Sequence, residues 1–119
     1  MKTVLCATLV LLLSWVARAD DRGAVELQKC KICHSLDKDG PNRVGPNLHG
    51  VFGRKAGTVS GFAYSDAMKN SAIVWDNDTL AKFLNAPKET LPGNRMSFPG
   101  VRDDASLHAV LQSLKQATQ

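Results

Sequence analysis

Residues 35–62 carry six of the chain's nine glycines and two of its five prolines, with neither a helical nor a strand period. An irregular stretch of 28 residues sits badly inside a compact domain, where connections are usually short. The whole chain has 119 residues, enough for one domain and a modest core. Downstream of residue 19 only six residues are aromatic. A segment of this kind folds if something large and apolar, not encoded by the chain, gives it a surface to wrap. A cofactor meets that need.

Composition narrows the classes. A hydrophobic fraction of 44% excludes wholesale disorder and a multi-span membrane protein. The net charge is +4, with no block of five like charges, which argues against a nucleic-acid-binding tail. Residues 1–19 read as a leader. Met1-Lys2 is a short positive start, residues 4–16 are apolar but for Thr8 and Ser14, and Ala17-Arg18-Ala19 is a small-residue cleavage site. The apolar run is too short for a spanning helix, which needs about 20 residues, and Arg18, Asp20, Asp21 and Arg22 follow it at once. Cys6 lies too early in the run, with no small-residue site before it, to be a lipid attachment cysteine.

With the leader removed, residues 20–119 form one domain of 100 residues. Its 13 basic and 11 acidic side chains give +2, and its cysteines are Cys30 and Cys33. Export into an oxidising compartment means those two are a disulfide, a metal site or covalently capped. Along this domain, Asp20 or Asp21 can cap a helix running to about Lys29, with a weak apolar pattern of Val25 and Leu27. Ser65 can cap a short helix at 66–70. Asp76 caps a clearer one carrying Leu80, Phe83 and Leu84, which Pro87 stops. Residues 88–100 read as a second loop. Asp103 opens the last helix, where Leu107, Val110, Leu111 and Leu114 make one apolar stripe.

Cys30-Lys31-Ile32-Cys33-His34 has the Cys-Xaa-Xaa-Cys-His spacing of c-type haem attachment. Thiols at i and i+3 on one helical turn can reach two vinyl groups on one side of a porphyrin and add as thioethers. The next residue then presents an imidazole to the iron. A structural zinc site would want four ligands, and His49 and His108 are singly placed. A thioredoxin-like pair would follow a strand, whereas a helical stretch precedes this one. Candidates for the second axial ligand are Met96, Met68, His49 and His108, or an open position. Met96 is favoured: it lies 62 residues beyond His34 in a polar loop, with Pro92, Gly93, Pro99 and Gly100 to fix its direction. Met68 reads as packing, and His108 lies off the apolar stripe of its helix.

These motifs together resemble the class I c-type cytochromes of the mitochondrial cytochrome c branch, in an exported, bacterial-looking version. The resemblance covers residues 23–117. It rests on the attachment motif and on Gly45-Pro46-Asn47-Leu48-His49-Gly50-Val51-Phe52-Gly53-Arg54. It rests also on Tyr64-Ser65-Asp66-Ala67 with Trp75, on Asn85-Ala86-Pro87-Lys88, and on Pro92-Gly93-Asn94-Arg95-Met96-Ser97-Phe98. It implies an all-α fold of about three main helices plus short ones, wrapped around one covalently bound haem c. The first and last helices would cross, and one haem edge would be exposed. It implies axial ligation by His34 and Met96, with the Pro46 carbonyl holding the other ring nitrogen of His34. Arg54, Tyr64 and Trp75 would lie near the haem propionates, where a cation and two donors offset the burial of a carboxylate.

The chain departs from the family at three interior positions and at several surface ones. Phe83 stands where the family has a tyrosine that hydrogen-bonds the methionine sulfur. Met68 replaces an asparagine that helps hold a water, and Leu27 replaces an aromatic. The first two changes imply a drier methionine side. Docking in the family uses basic residues around the haem edge; matching positions are Lys29, Arg43, Lys88, Arg95 and Arg102, while Glu89, Asp103 and Asp104 replace nearby lysines. The expectation is a soluble, monomeric, periplasmic one-electron carrier in a respiratory or photosynthetic chain. It has no permanent membrane anchor and binds no nucleic acid. Its partners are membrane or periplasmic redox proteins with acidic docking faces. The alternatives are a haem enzyme or gas-binding protein with a labile sixth ligand, and a dedicated electron-transfer subunit of a periplasmic dehydrogenase.

Overall fold

The structure, a computed structural model, describes residues 17–119, with side chains from residue 21; the apolar run of the expected leader lies outside the described residues. Five helices occur in this region: α1 (Ala17–Lys31), α2 (Asp66–Lys69), α3 (Asn77–Asn85), α4 (Pro87–Thr90) and α5 (Asp104–Thr118). No strand is present among the described residues, only an isolated antiparallel bridge between Lys55 and Val74. The chain is all-α.

Local chemistry sets most helix ends. Ser65 Oγ accepts the Met68 N–H at 3.2 Å and opens α2. Asp76 and Thr79 form a reciprocal capping box on α3, at 2.8 and 2.9 Å. Asp103 accepts the Ser106 N–H at 2.8 Å and opens α5. Two boundaries differ from the sequence reading. Neither Asp20 nor Asp21 is a cap, because the helix-favouring Ala17, Arg18 and Ala19 already belong to α1 and both acids lie inside it. Pro87 ends α3 but also begins α4 as its first residue, within the stretch read as loop; its missing N–H and fixed φ suit a helix start.

α1 crosses α5 at Gly23, where a Cβ would run into the Ala109 carbonyl and the Ser113 hydroxyl. Leu27 is buried there at 6% exposure, so close backbone approach plus one leucine fills the place of the family's aromatic. Val25 points away, 62% exposed, and is not core. On α5, Val110, Leu111 and Leu114 are buried and Leu107 packs against them, joined by Trp75, Leu80, Phe83 and Leu84. The last helix is tied back at its end: the Thr118 carbonyl accepts the Gly50 N–H at 2.7 Å.

The long irregular segment is held by its own polar groups. Asn47 Nδ2 donates to the carbonyls of Asp37 and Gly40 at 2.9 and 2.7 Å, and its Oδ1 accepts the His49 N–H at 2.7 Å. The Gly57 backbone, at φ +74°, passes so close to the Met68 carbonyl that any side chain would collide with it.

Candidate functional site

At the end of α1 the N–H groups of Cys33 and His34 both turn back to the Cys30 carbonyl, at 3.1 and 2.9 Å. This tight turn brings Cys30, Cys33 and His34 to the wall of one cavity of about 430 Å³. That volume lies within the usual range for a small-molecule or cofactor site. Neither cysteine is in a disulfide. Burial pushes the Cys30 thiol up, away from thiolate character.

His34 is fixed from two sides. Its Nδ1 donates to the Pro46 carbonyl at 2.7 Å, which leaves Nε2 with a free lone pair. Its ring lies directly over Gly45, where any Cβ would strike it. Burial pulls its pKa below the ordinary histidine value; the Pro46 bond opposes that shift, and Arg54 and Arg43 add to it. The ring is thereby kept neutral, the form that ligates a metal.

Of the other ligand candidates, the structure brings Met96 and Met68 to this cavity. His49 lines a separate shallow depression, and His108 is exposed on α5. Leu80, Phe83, Leu84 and Phe98 give the cavity apolar walls, with Phe83 against Trp75 at 5.1 Å between centroids. Arg54, Tyr64 and Trp75 also line it. The Arg54 guanidinium donates to the carbonyls of His49 and Asn47, both at 3.1 Å. The Tyr64 hydroxyl accepts the Val59 N–H at 3.0 Å, which leaves its own proton to donate. The Trp75 indole N–H takes no protein acceptor among the described residues.

The basic residues have more local duties than the sequence suggested. Arg43 donates to the carbonyls of Lys31 and Ile32 at 2.8 and 3.0 Å and so closes the end of α1. Lys29 pairs with Glu26 at 2.9 Å and Arg102 with Glu89 at 3.4 Å, while Arg95 donates to the Ala63 carbonyl at 3.2 Å. Lys88 is exposed with no ion pair among the described residues. Lys29 and Arg95 reach the cavity wall. Sequence reasoning named Gly45 and Asn94 only as members of the family motifs and gave neither a role. The first needs knowledge of what lies over it; the second is marked only by its place between turn-forming residues.

No protein-family model matches the chain. Individual relatives do. A cytochrome c of Gibberella zeae is 42% identical over 91 residues, covering 76% of this chain and 86% of its own. A cytochrome c2 iso-2 of Magnetospirillum molischianum is 50% identical over 86 residues, 72% of this chain and 88% of its own. This chain belongs to the class I c-type cytochromes. A cytochrome c2 of Blastochloris viridis extends the likeness to 84% of this chain, at 41% identity over 102 residues. As a c-type cytochrome the chain binds one covalent haem c, and Cys30 and Cys33 stand at the attachment positions. The cavity fits that group. It places two unbridged thiols, a neutral imidazole with a free lone pair and apolar walls around one space, with a guanidinium and two unspent donors beside it. Among the described residues no helix of this cytochrome is long and apolar enough to cross a membrane.

Proposed function

We propose that the chain is made as a precursor and cleaved after Ala19, and that residues 20–119 act as a soluble, monomeric, periplasmic one-electron carrier. His34 and Met96 are the axial ligands of its haem iron in this reading. The observation that carries it is the meeting of Cys30, Cys33, His34 and Met96 on one cavity, with Nε2 of His34 left free by the Pro46 hydrogen bond. The bound haem supplies a ferric/ferrous couple, and thioether ligation favours the ferrous state.

The chain's own residues do the rest. With His34 and Met96 both bound to the iron, no position would remain for oxygen or peroxide, which favours a carrier over an enzyme or a gas sensor. Leu80, Phe83 and Phe98 line the cavity with apolar surface that would keep water from the iron. Arg54 contributes a fixed cation beside the propionates, and Tyr64 and Trp75 contribute donors, which lowers the cost of burying carboxylates. Lys29 and Arg95, at the cavity wall, would with Arg43, Lys88 and Arg102 offer a basic docking face to redox partners with acidic faces. The pairs to Glu26 and Glu89 temper that field. Ile32 and Val44, 70% and 78% exposed, add apolar contact next to Arg43.

Stopped-flow mixing of the reduced protein with an oxidised acidic redox protein tests this reading. The bimolecular rate falls roughly tenfold as salt is raised from low to physiological strength. A small neutral oxidant reacts quickly at every salt concentration. A flat salt response removes the basic docking face, and slow exchange with both reagents removes the carrier.

A further inference from the structure

Met96 has no polar side chain bonded to its thioether among the described residues, and its neighbours in the cavity include Met68, Phe83 and Phe98. Something else must hold the sulfur in place. Arg95 tethers the loop to the Ala63 carbonyl at 3.2 Å, and a second side chain bonds the Met96 backbone itself. Asn94 Oδ1 accepts the Met96 N–H at 2.9 Å, while Asn94 Nδ2 donates to the carbonyls of Pro87 and Leu91 at 2.9 and 2.8 Å. The amide orientation is forced, because only its NH₂ end can serve two carbonyls and only its oxygen can serve an N–H. The two carbonyls belong to the first residue of α4 and to its C-cap. α4 is in turn fastened to α3, where the Thr90 hydroxyl donates to the Lys82 carbonyl at 2.9 Å. Just before Asn94 the chain reverses at Gly93, with φ +90°.

We propose that Asn94 is the positioning residue for Met96: through one amide it ties the backbone of the ligand loop to α4 and sets how firmly the thioether occupies the iron. This rests on the reading of Met96 as the sixth ligand. No other residue type meets all three demands at that reach. Aspartate keeps the acceptor for Met96 but turns an oxygen toward two carbonyls. Threonine offers one donor in place of two. Alanine leaves the Met96 N–H and both carbonyls to water.

The experiment compares the haem-bearing wild type with Asn94→Asp and Asn94→Ala. It reads the sulfur-to-iron charge-transfer band of the ferric form, the affinity for added imidazole, and helix content by circular dichroism. The loss of two or three hydrogen bonds weakens the band and raises imidazole affinity roughly 10- to 100-fold with helix content kept. A wild type with the band whose Asn94 variants keep it, at unchanged imidazole affinity, overturns the proposal alone. A wild type without the band overturns the ligand reading and the proposal with it. Hydrogen exchange on the wild type needs no variant: the Met96 amide is protected, and exchange at the rate of a free loop amide overturns the role of Asn94.

Discussion

The His34 side and the Met96 side of the cavity are held in different ways. At His34, restraint is short-range and steric: a tight turn from Cys30, the Pro46 carbonyl on Nδ1, and the bare Gly45 backbone beneath the ring. The Gly45 N–H returns to the Cys33 carbonyl at 2.9 Å, so the segment that receives the imidazole is bonded to the one that supplies it. At Met96, the sulfur hangs from a loop tied through Asn94 to α4, with apolar walls and an exposed Glu89–Arg102 pair across its ends. A ligand held by closure around a ring tolerates little change, whereas one held by a few hydrogen bonds in a loop can be tuned in steps. That contrast suits the proposed carrier, in which His34 would be the permanent ligand and Met96 the one that tunes the potential.

The largest break in this comparison is Gly45→Ala. Its methyl has to displace the His34 ring, at a cost of about 2–3 kcal/mol for overpacking and with the Pro46 bond at risk. The yield of haem-bearing protein falls and the thermal midpoint drops by roughly 10 °C. An unchanged midpoint would mean that the ring is not fixed against this backbone.

A middle-sized effect comes from Phe83→Tyr, which returns a hydroxyl to the methionine side. A donor to the sulfur withdraws electron density from iron and disfavours the ferric state. The midpoint potential rises by about 40 mV, the equivalent of about 1 kcal/mol for a one-electron couple. An identical potential in the variant would show that the dryness of this wall does not set it.

The smallest effect is at the loop's outer tether. Glu89 has its pKa held below the ordinary glutamate value, first by a backbone hydrogen bond and then by the Arg102 guanidinium. A depressed folded pKa gives stability that is present above the unfolded value, about 4.3, and is lost as pH falls through the folded value. Glu89→Gln therefore lowers the thermal midpoint slightly at pH 7, and the difference closes as pH falls from 5 to 3, so the variant's midpoint falls less steeply than the wild type's. Equal slopes in the two proteins would discount the pair as a tether.

Much of this architecture could be read from residues in isolation. Ser65, Asp76 and Asp103 are caps because a short side-chain oxygen before a helix answers a local need, and that need is visible in sequence. The stripe of Val110, Leu111 and Leu114 follows from helical period, and the glycine-rich run at 35–62 stays irregular as its composition requires. The attachment motif was legible because its chemistry fixes its spacing. What escaped depends on a distant partner. Gly23 and Gly45 matter for what lies above them, Ala109 and Ser113 in one case and His34 in the other. Arg43 reads as a surface cation until the carbonyls of Lys31 and Ile32 are seen under it. Pro87 reads as a stop, and only the chain's path after it shows a start. Asn94 sits in plain view among turn formers, but three bonds from one amide are a tertiary fact.

One measurement tests the central claim, that His34 and Met96 together close both axial positions: absorption spectra of the ferric protein, and of the ferrous protein before and after carbon monoxide. The account predicts a sulfur-to-iron charge-transfer band in the ferric form and a ferrous spectrum that carbon monoxide leaves unchanged. Absence of the band, with prompt binding of carbon monoxide, would contradict it and mark the protein as an enzyme or gas sensor with an open sixth position.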